Sequence, residues 1–375
     1  MFATSDSSAR LTSYGLSCTV EAMRILHLTD SLVVGGSQQV LIDLANALVG
    51  RGHDVGVAAG DGELWRELLP EVRRFHHPGA RLGHRQALWV RRLLAEHSWD
   101  VVHTHQRGVS TAVWMTRRWL KTSHVEHVHN VFPVTSTKAI SFRGDRLIAC
   151  GSEVARMLLD DYGRPPELVR TVANGVHDHG IRRLPNSGSH GPLRIVNIAR
   201  VEHQKDPIRF IEVIRALDEQ GVRVSATWVG DGVLLEYCRQ QVDEAGFSER
   251  IAFPGSRRPA VGLLADADVL LLTSRHEGLP LSVLEAGAAG CAVVAPGVGS
   301  LADVIQQGRN GWLYRPGAQP AEIAGLLATV AASPDSWNEV GRHGREVYEQ
   351  DFTISRVTDQ VEEVYGELRT GRGAG

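Results

Sequence analysis

The chain has 375 residues, 22% charged and 43% hydrophobic, with a formal net charge of −3. That composition excludes wholesale disorder, collagen, a coiled coil and a disulfide-rich miniprotein, and its near balance argues against a dedicated nucleic-acid binder. The length suits two domains.

Residues 1–22 lack the apolar stretch of a secretory leader and read as a loose tail. Met23, directly before the first strand, is an alternative start. From Arg24 the pattern is strand, loop, helix, repeated. RILHLT (24–29) is a strand, followed by the glycine-rich turn SLVVGGS. Ser37 is placed to cap a helix through Val49, with Val40, Leu41, Leu44, Ala45 and Leu48 on one face. DVGVAA (54–59), DVVHTH (100–105), HVEHVH (124–129), RLIAC (146–150) and VRTVA (169–173) are further strands. Ser152 is placed to cap the helix SEVARMLLDDYG. Residues 178–191, DHGIRRLPNSGSHG, have linker composition.

The alternation then restarts. LRIVNIAR (193–200) is a strand, and Asp206 with Pro207 opens a helix through Glu219. RVSATWV, IAFPG, DVLLLTS and CAVVAP follow as strands, and an amphipathic helix occupies 352–368. Strands alternating with helices predict an α/β protein of two Rossmann-like, doubly wound parallel sheets facing a cleft. The expected organisation is a tail (1–22), a first domain (23–180), a linker (181–191), a second domain (192–350) and a terminal helix and tail (351–375).

Ligands of such sheets bind at the carboxyl ends of the strands. Arg200 and Lys205 fall there, in the loop ARVEHQKDP. Two cations in a strand-to-helix loop suit a diphosphate, although an isolated pair of this kind is more often solvated surface charge. Only three lysines occur (Lys121, Lys138, Lys205) against 37 arginines, so a retained lysine carries weight. Glu277 follows another strand in HEGLP, and Glu285 lies eight residues on, inside the next helix. Gly278 permits close approach of the turn to a ligand. This pattern suits a polyhydroxylated molecule.

Cys18, Cys150, Cys238 and Cys291 stand singly, without zinc-site spacing, and suggest a reducing compartment. Asp266-Ala267-Asp268 mimics a metal-binding DxD but reads as the end of a helix. The Gly-Asp-Gly at 230–232 is too short to indicate a dinucleotide. No apolar run reaches the ~18–20 residues of a membrane span. Residues 66–121 carry 11 basic and four acidic side chains. Arg85, Trp89, Arg92 and Leu93 can share a helix face, as can Trp114, Arg117 and Arg118. Two readings stand: a face for anionic lipid or an anionic acceptor, and a solvated basic face with its tryptophans in the core.

In order, the segments LTDSLVVGGSQQVLIDLANALVGRGHDV, DVVHTH, GSEVARMLL, VANGV, NIARVEHQKD, WVGDGVLLE, EGLPLSVLEA and GRNGWLY resemble the retaining GT-B glycosyltransferases of family 4, from about Arg24 to Tyr365. The resemblance implies transfer of a sugar from a nucleotide-diphosphate sugar, by default a UDP-sugar, to an acceptor hydroxyl. It implies no metal and no cofactor beyond this co-substrate; the unpaired cysteines suggest a cytoplasmic protein, with peripheral contact to the inner membrane face only on the lipid reading of residues 66–121. It implies that Arg200 and Lys205 bind the donor diphosphate and that Glu277 touches the donor sugar. Gly278, Leu279 and Pro280 would form a turn binding hydroxyls or phosphate. Glu285 would hold the ribose, and Gly35 and Gly36 would approach the diphosphate. His129 would face the donor sugar, with His127 a weaker candidate and His103 and His105 in the same cleft. Two departures are His177, where the family's NGVD has an acid, and Asp303, where its GGxxE loop has Glu. The alternatives are a non-hydrolysing nucleotide-sugar epimerase of the same fold and a non-catalytic nucleotide-sugar binder.

Overall fold

The computed structural model describes residues 21–77, 84–116, 122–184 and 191–370. Two parallel sheets form, as the alternation predicts. The first contains β1 (Arg24–Leu28), β2 (Asp54–Ala59), β3 (Arg73–His76), β4 (Val101–Thr104), β5 (Ser123–Val128), β6 (Arg146–Ala149) and β7 (Val169–Thr171). Its order is β3-β2-β1-β4-β5-β6-β7. The second contains β8 (Leu193–Ile198), β9 (Val224–Val229), β10 (Ile251–Gly255), β11 (Val269–Leu271), β12 (Ala292–Pro296) and β13 (Trp312–Tyr314), ordered β10-β9-β8-β11-β12-β13. Helices cover both faces, so central strands such as β4 and β12 are buried along their whole length.

Each order reverses beside the first strand of its sheet. The two switch points, β1/β4 and β8/β11, fix where each sheet opens to a ligand. The edge strand β3 (RRFH) was not predicted. Its residues alternate between partly exposed and exposed, so it lacks the apolar run that marks the inner strands. The helix Ile354–Thr370 returns to the first sheet. Val357, Val361, Val364, Tyr365 and Leu368 join the core built by β1, β2 and the helix Gly36–Gly50. Glu362 seals that contact, accepting from His53 Nε2 at 2.7 Å.

Three predicted caps are corrected. The helix Gly36–Gly50 starts from an extended Gly35 and uses no side-chain cap; Ser37 instead donates to Gln38. Ser152 begins its helix behind Gly151 and points across the domain boundary, donating its N–H and hydroxyl to Asp303 at 2.7 and 2.6 Å. Asp206 precedes its helix in a left-handed conformation (φ 51°), and its carboxylate accepts from Arg275 Nε at 2.9 Å instead of the helix amides. A cap needs an extended residue with a free side chain: tertiary partners claimed Ser152 and Asp206, while Ser37 already lies inside its helix.

Of the basic-face residues, the side chains of Arg85, Arg117 and Arg118 lie outside the described residues. In the helix His84–His97 the buried stripe is Val90, Leu93 and Leu94, with Trp89 packed edge-on to His77. Arg92 is exposed and paired with Glu96.

Candidate active site in the cleft

The cleft between the two sheet ends encloses about 2120 Å³ and is lined from both domains. Gly35, Gly36, His129, Arg200, Lys205, Glu277, Gly278, Leu279, Pro280 and Glu285 line it, with His105 and His127; His103, expected in the same cleft, is instead fully buried behind it and bonded to Tyr365 at 2.7 Å.

The second sheet contributes charge. The loops after β8 and β11 are laced together: Arg275 N–H donates to the Gln204 carbonyl at 2.8 Å, and Thr273 Oγ1 donates to that of Lys205 at 3.0 Å. This lacing brings Lys205 Nζ to 2.7 Å from both carboxylate oxygens of Glu277. The Glu277 side chain is only 4% exposed and that of Lys205 16%. A pair this buried needs its partner, because an isolated carboxylate there would be strongly penalised. Arg200 stands apart from Lys205. It is half exposed and turned to Glu202 at 2.8 Å. The sequence placed both cations in one loop, but only Lys205 is engaged with the predicted catalytic glutamate.

The HEGLP turn is wedged between the domains. A Cβ on Gly278 would sit 2.1 Å from the His129 carbonyl oxygen, so only glycine fits. Asn174 Nδ2 donates to the Leu279 carbonyl at 2.7 Å. The Leu279 N–H is directed at the Cys150 thiol and Pro280 has no N–H, so neither offers its amide to a ligand. That narrows the predicted role of Gly278, Leu279 and Pro280. Gly299 (φ 58°) lies under the same turn, where a Cβ would meet the Glu277 carbonyl oxygen at 1.9 Å. Gly230 and Gly232, read from the sequence as uninformative, bring their loop against Ala199 and Val201 at the cleft wall.

Glu285 lies one turn into the helix Leu281–Ala289. Burial first, and the nearby Asp43 second, push its pKa up to about 7. Asp43 comes from the opposite domain. Burial raises it to about 6, while a hydrogen bond from Gln39 Nε2 at 3.0 Å opposes the shift. His177, the departure in NGVH, lines the cleft 3.8 Å from Asp43. Asp268 of the DxD-like triplet lies elsewhere, buried and ion-paired with Arg183 and Arg194. It ties the linker to the second sheet, as a helix-end residue can.

The first sheet contributes imidazoles. His27 on β1, His103 on β4, His105 just beyond it, His127 on β5 and His129 just beyond form one stacked array. The sequence showed the alternation within HTH and HVH. It did not show that β1 and β4 pair His27 with His103 in register. Burial holds all five rings neutral. His27 and His129 fall to about 3, and His103, His105 and His127 lie well below 6.5. The nitrogens of His27, His103 and His105, and of His105, His127 and His129, lie close enough to suggest a metal site, all within 4.8 Å. Ring orientation opposes it in the second of these triads, where His105 and His129 are 15° from parallel and His127 and His129 19°. In-plane lone pairs of stacked rings do not converge on one ion at the ~2.0–2.1 Å that zinc requires.

Comparison with known proteins agrees with this geometry. Residues 34–179 match the family model "Glycosyltransferase Family 4" and residues 185–347 match "Glycosyl transferases group 1". The chain therefore carries both halves of a GT-B glycosyltransferase. It is 34% identical to a 2-deoxystreptamine glucosyltransferase of Streptomyces kanamyceticus over 46% of this chain and 44% of that protein. It is 21% identical to an Escherichia coli UDP-Gal:alpha-D-GlcNAc-diphosphoundecaprenol alpha-1,3-galactosyltransferase over 93% of this chain and 98% of that one. The aligned segments span about half the length of several curated relatives, 44–56%. Among solved structures, Anabaena Alr3699/HepE in complex with UDP-glucose superposes with a TM-score of 0.79 at 20% identity, over 92% of this chain and all of that one. No described helix is long and apolar enough to cross a membrane.

Proposed function

We propose that this chain is a retaining, metal-independent glycosyltransferase of family 4 that moves a sugar from a UDP-sugar to an acceptor hydroxyl. The observation that carries the reading is the buried Lys205–Glu277 pair at the β8/β11 switch point, facing Gly35 and Gly36 across the cleft. Negative charge grows on the diphosphate as the glycosidic bond breaks. Lys205 and Arg200 supply fixed positive charge there, which is the work a metal would otherwise do. The open amides at the start of the helix Gly36–Gly50 add a second anion site. Glu277 accepts from a donor-sugar hydroxyl, and Glu285 accepts from the ribose. With no second nucleophile assigned at the reaction centre, the leaving phosphate takes the acceptor proton during front-face attack. The base is read as uridine because the Anabaena neighbour holds UDP-glucose and the E. coli relative is named for UDP-Gal. A sugar, a lipid-linked sugar or a small metabolite serves as acceptor, in the cytoplasm or at the inner membrane face.

The test is a thermal-shift screen of UDP-, GDP- and ADP-sugars, followed by UDP release with EDTA present. Stabilisation by a UDP-sugar and metal-free release support the reading. Strict dependence on Mg²⁺ or Mn²⁺ contradicts it, and a C2 epimer formed from donor alone identifies an epimerase.

A further inference from the structure

Large apolar side chains on a surface are ordinary when scattered and informative when they gather. Among the described residues eleven are exposed, and five of these line the cleft: Val33, Val34, Met115, Ile140 and Val233. The first four belong to the first domain, with exposures of 52%, 39%, 59% and 41%. They come from three separate elements: the loop after β1, the helix Arg107–Thr116 and the short helix Lys138–Ile140. The opposite wall holds the charged groups of the second sheet. One wall of the cleft therefore offers hydrocarbon to whatever enters it. A free sugar or a small polar metabolite would leave that hydrocarbon without an apolar partner.

The helix Arg107–Thr116 puts this wall in order. Arg107, Thr111 and Met115 recur every four residues, so they share a face, and all three line the cleft. Arg107 opens the helix just beyond the end of β4, and Met115 lies about 12 Å further along it. Burial falls in the same direction: Arg107 and Thr111 are half-buried, and Met115 is exposed. The Arg107 guanidinium stands 5.5 Å over the ring of Phe132, another cleft residue, and forms no ion pair among the described residues. The buried Glu126 lies near enough to be influenced by that charge, but burial lifts its carboxyl to about 7, so it neutralises the cation only in part. The face thus runs from a cation at the sheet end to an exposed apolar side chain. We propose that this wall binds the acceptor, and that the acceptor is an anionic amphiphile: a headgroup with the reacting hydroxyl and a phosphate-like charge beside Arg107, on an apolar chain that leaves past Met115, Val34 and Ile140. Its role as acceptor rests on the glycosyltransferase reading; the amphiphile site does not.

The experiment is calorimetric titration of the full chain, with UDP present, by butyl, hexyl and octyl phosphate and by the alkyl glucosides of the same lengths, all below micelle formation. Each added methylene is expected to tighten the phosphates about fourfold, the worth of one methylene taken from water. Octyl phosphate should bind about 10-fold tighter than octyl glucoside, or more, as a hydrogen bond to a charged group does. Met115→Glu should flatten the dependence on chain length and leave UDP affinity unchanged. Arg107→Gln should erase the preference for phosphate and keep the dependence on length; should it fail to fold, the wild-type preference decides. A flat chain-length series in the wild type overturns the proposal. So does a slope untouched by Met115→Glu, or a glucoside that binds as tightly as the phosphate. Binding to phosphatidylglycerol vesicles without affinity for octyl phosphate would make the wall a membrane-contact surface, and it too overturns the proposal. UDP bound with a flat series removes the amphiphile alone. A steep series with neither UDP binding nor UDP-sugar turnover contradicts the proposed function and leaves the amphiphile site standing.

Discussion

Two sheet ends face one cleft, and they are built from opposite chemistry. The first sheet holds five imidazoles that burial keeps neutral, of which His105, His127 and His129 line the cleft. The second presents a buried Lys205–Glu277 ion pair, the exposed Arg200, and Glu285 at its rim. Both sheets share a strand order and a switch point, so topology does not explain the contrast. The residues grafted onto the strand ends do. A transferred sugar is uncharged and its leaving diphosphate is strongly anionic. On the proposed reading, the cations that meet the diphosphate stand at the end of the second sheet, and the neutral rings stand at the end of the first.

The largest expected effect is on the charged side. Lys205→Ala should lower kcat/KM about 100-fold or more, as loss of a preorganised donor does elsewhere. Arg200→Ala should fall in the same range if the exposed guanidinium turns to the diphosphate. Thermal melts of both variants separate chemistry from folding, since Lys205→Ala also strands Glu277. Activity within a few-fold of wild type would break the assignment.

The neutral side should instead show itself in acid. His27 and His129 titrate near 3 when folded and near 6.5 when unfolded, so unfolding takes up protons between those values. Their stabilisation is complete above pH 6.5 and is lost as pH falls, at about 1.4 kcal/mol per pKa unit per ring. Glu126 and Asp43, raised to about 7 and 6, act in the opposite direction but are outnumbered by the five rings. Hydrogen exchange compared at pH 8 and pH 5 should therefore show the first sheet opening before the second. Equal protection in both sheets at pH 5 would remove the distinction.

A smaller effect belongs to Glu285. Its pKa near 7 means that much of it is protonated in the free protein at neutral pH. Ribose hydroxyls donate to the ionised form, so nucleotide binding should release a proton and tighten as pH rises from 6 to 8. Calorimetry in buffers of different ionisation enthalpy reads this directly, and Glu285→Gln should abolish the pH dependence. The smallest effect expected is that of Asp303→Ala. It removes two hydrogen bonds to Ser152 across the domain boundary, at a cost of about 1–2 kcal/mol in a denaturant melt.

The strands were legible because central parallel strands are near-continuous apolar runs, bounded here by polar turns. The cleft residues were legible because they sit where those runs end. Partnership was not. Helix Ile354–Thr370 announced an apolar face, but periodicity says which face is buried and not against what, so its return to the first sheet was invisible. Ser152 and Asp206 looked like caps for the same reason: their tertiary partners lie far away in sequence. The histidine alternation was visible within β5, yet the array depends on cross-strand register and on the position of β1. Glu277 beside Lys205 bridges 72 residues, and no local pattern reports it.

The most direct measurement is a calorimetric comparison of UDP with uridine, on wild type, Lys205→Ala and His129→Asn. UDP should bind wild type far more tightly than uridine does. That difference should collapse in Lys205→Ala and persist in His129→Asn. Equal affinities for UDP and uridine in the wild type, or a collapse confined to His129→Asn, would contradict placing the diphosphate at the end of the second sheet.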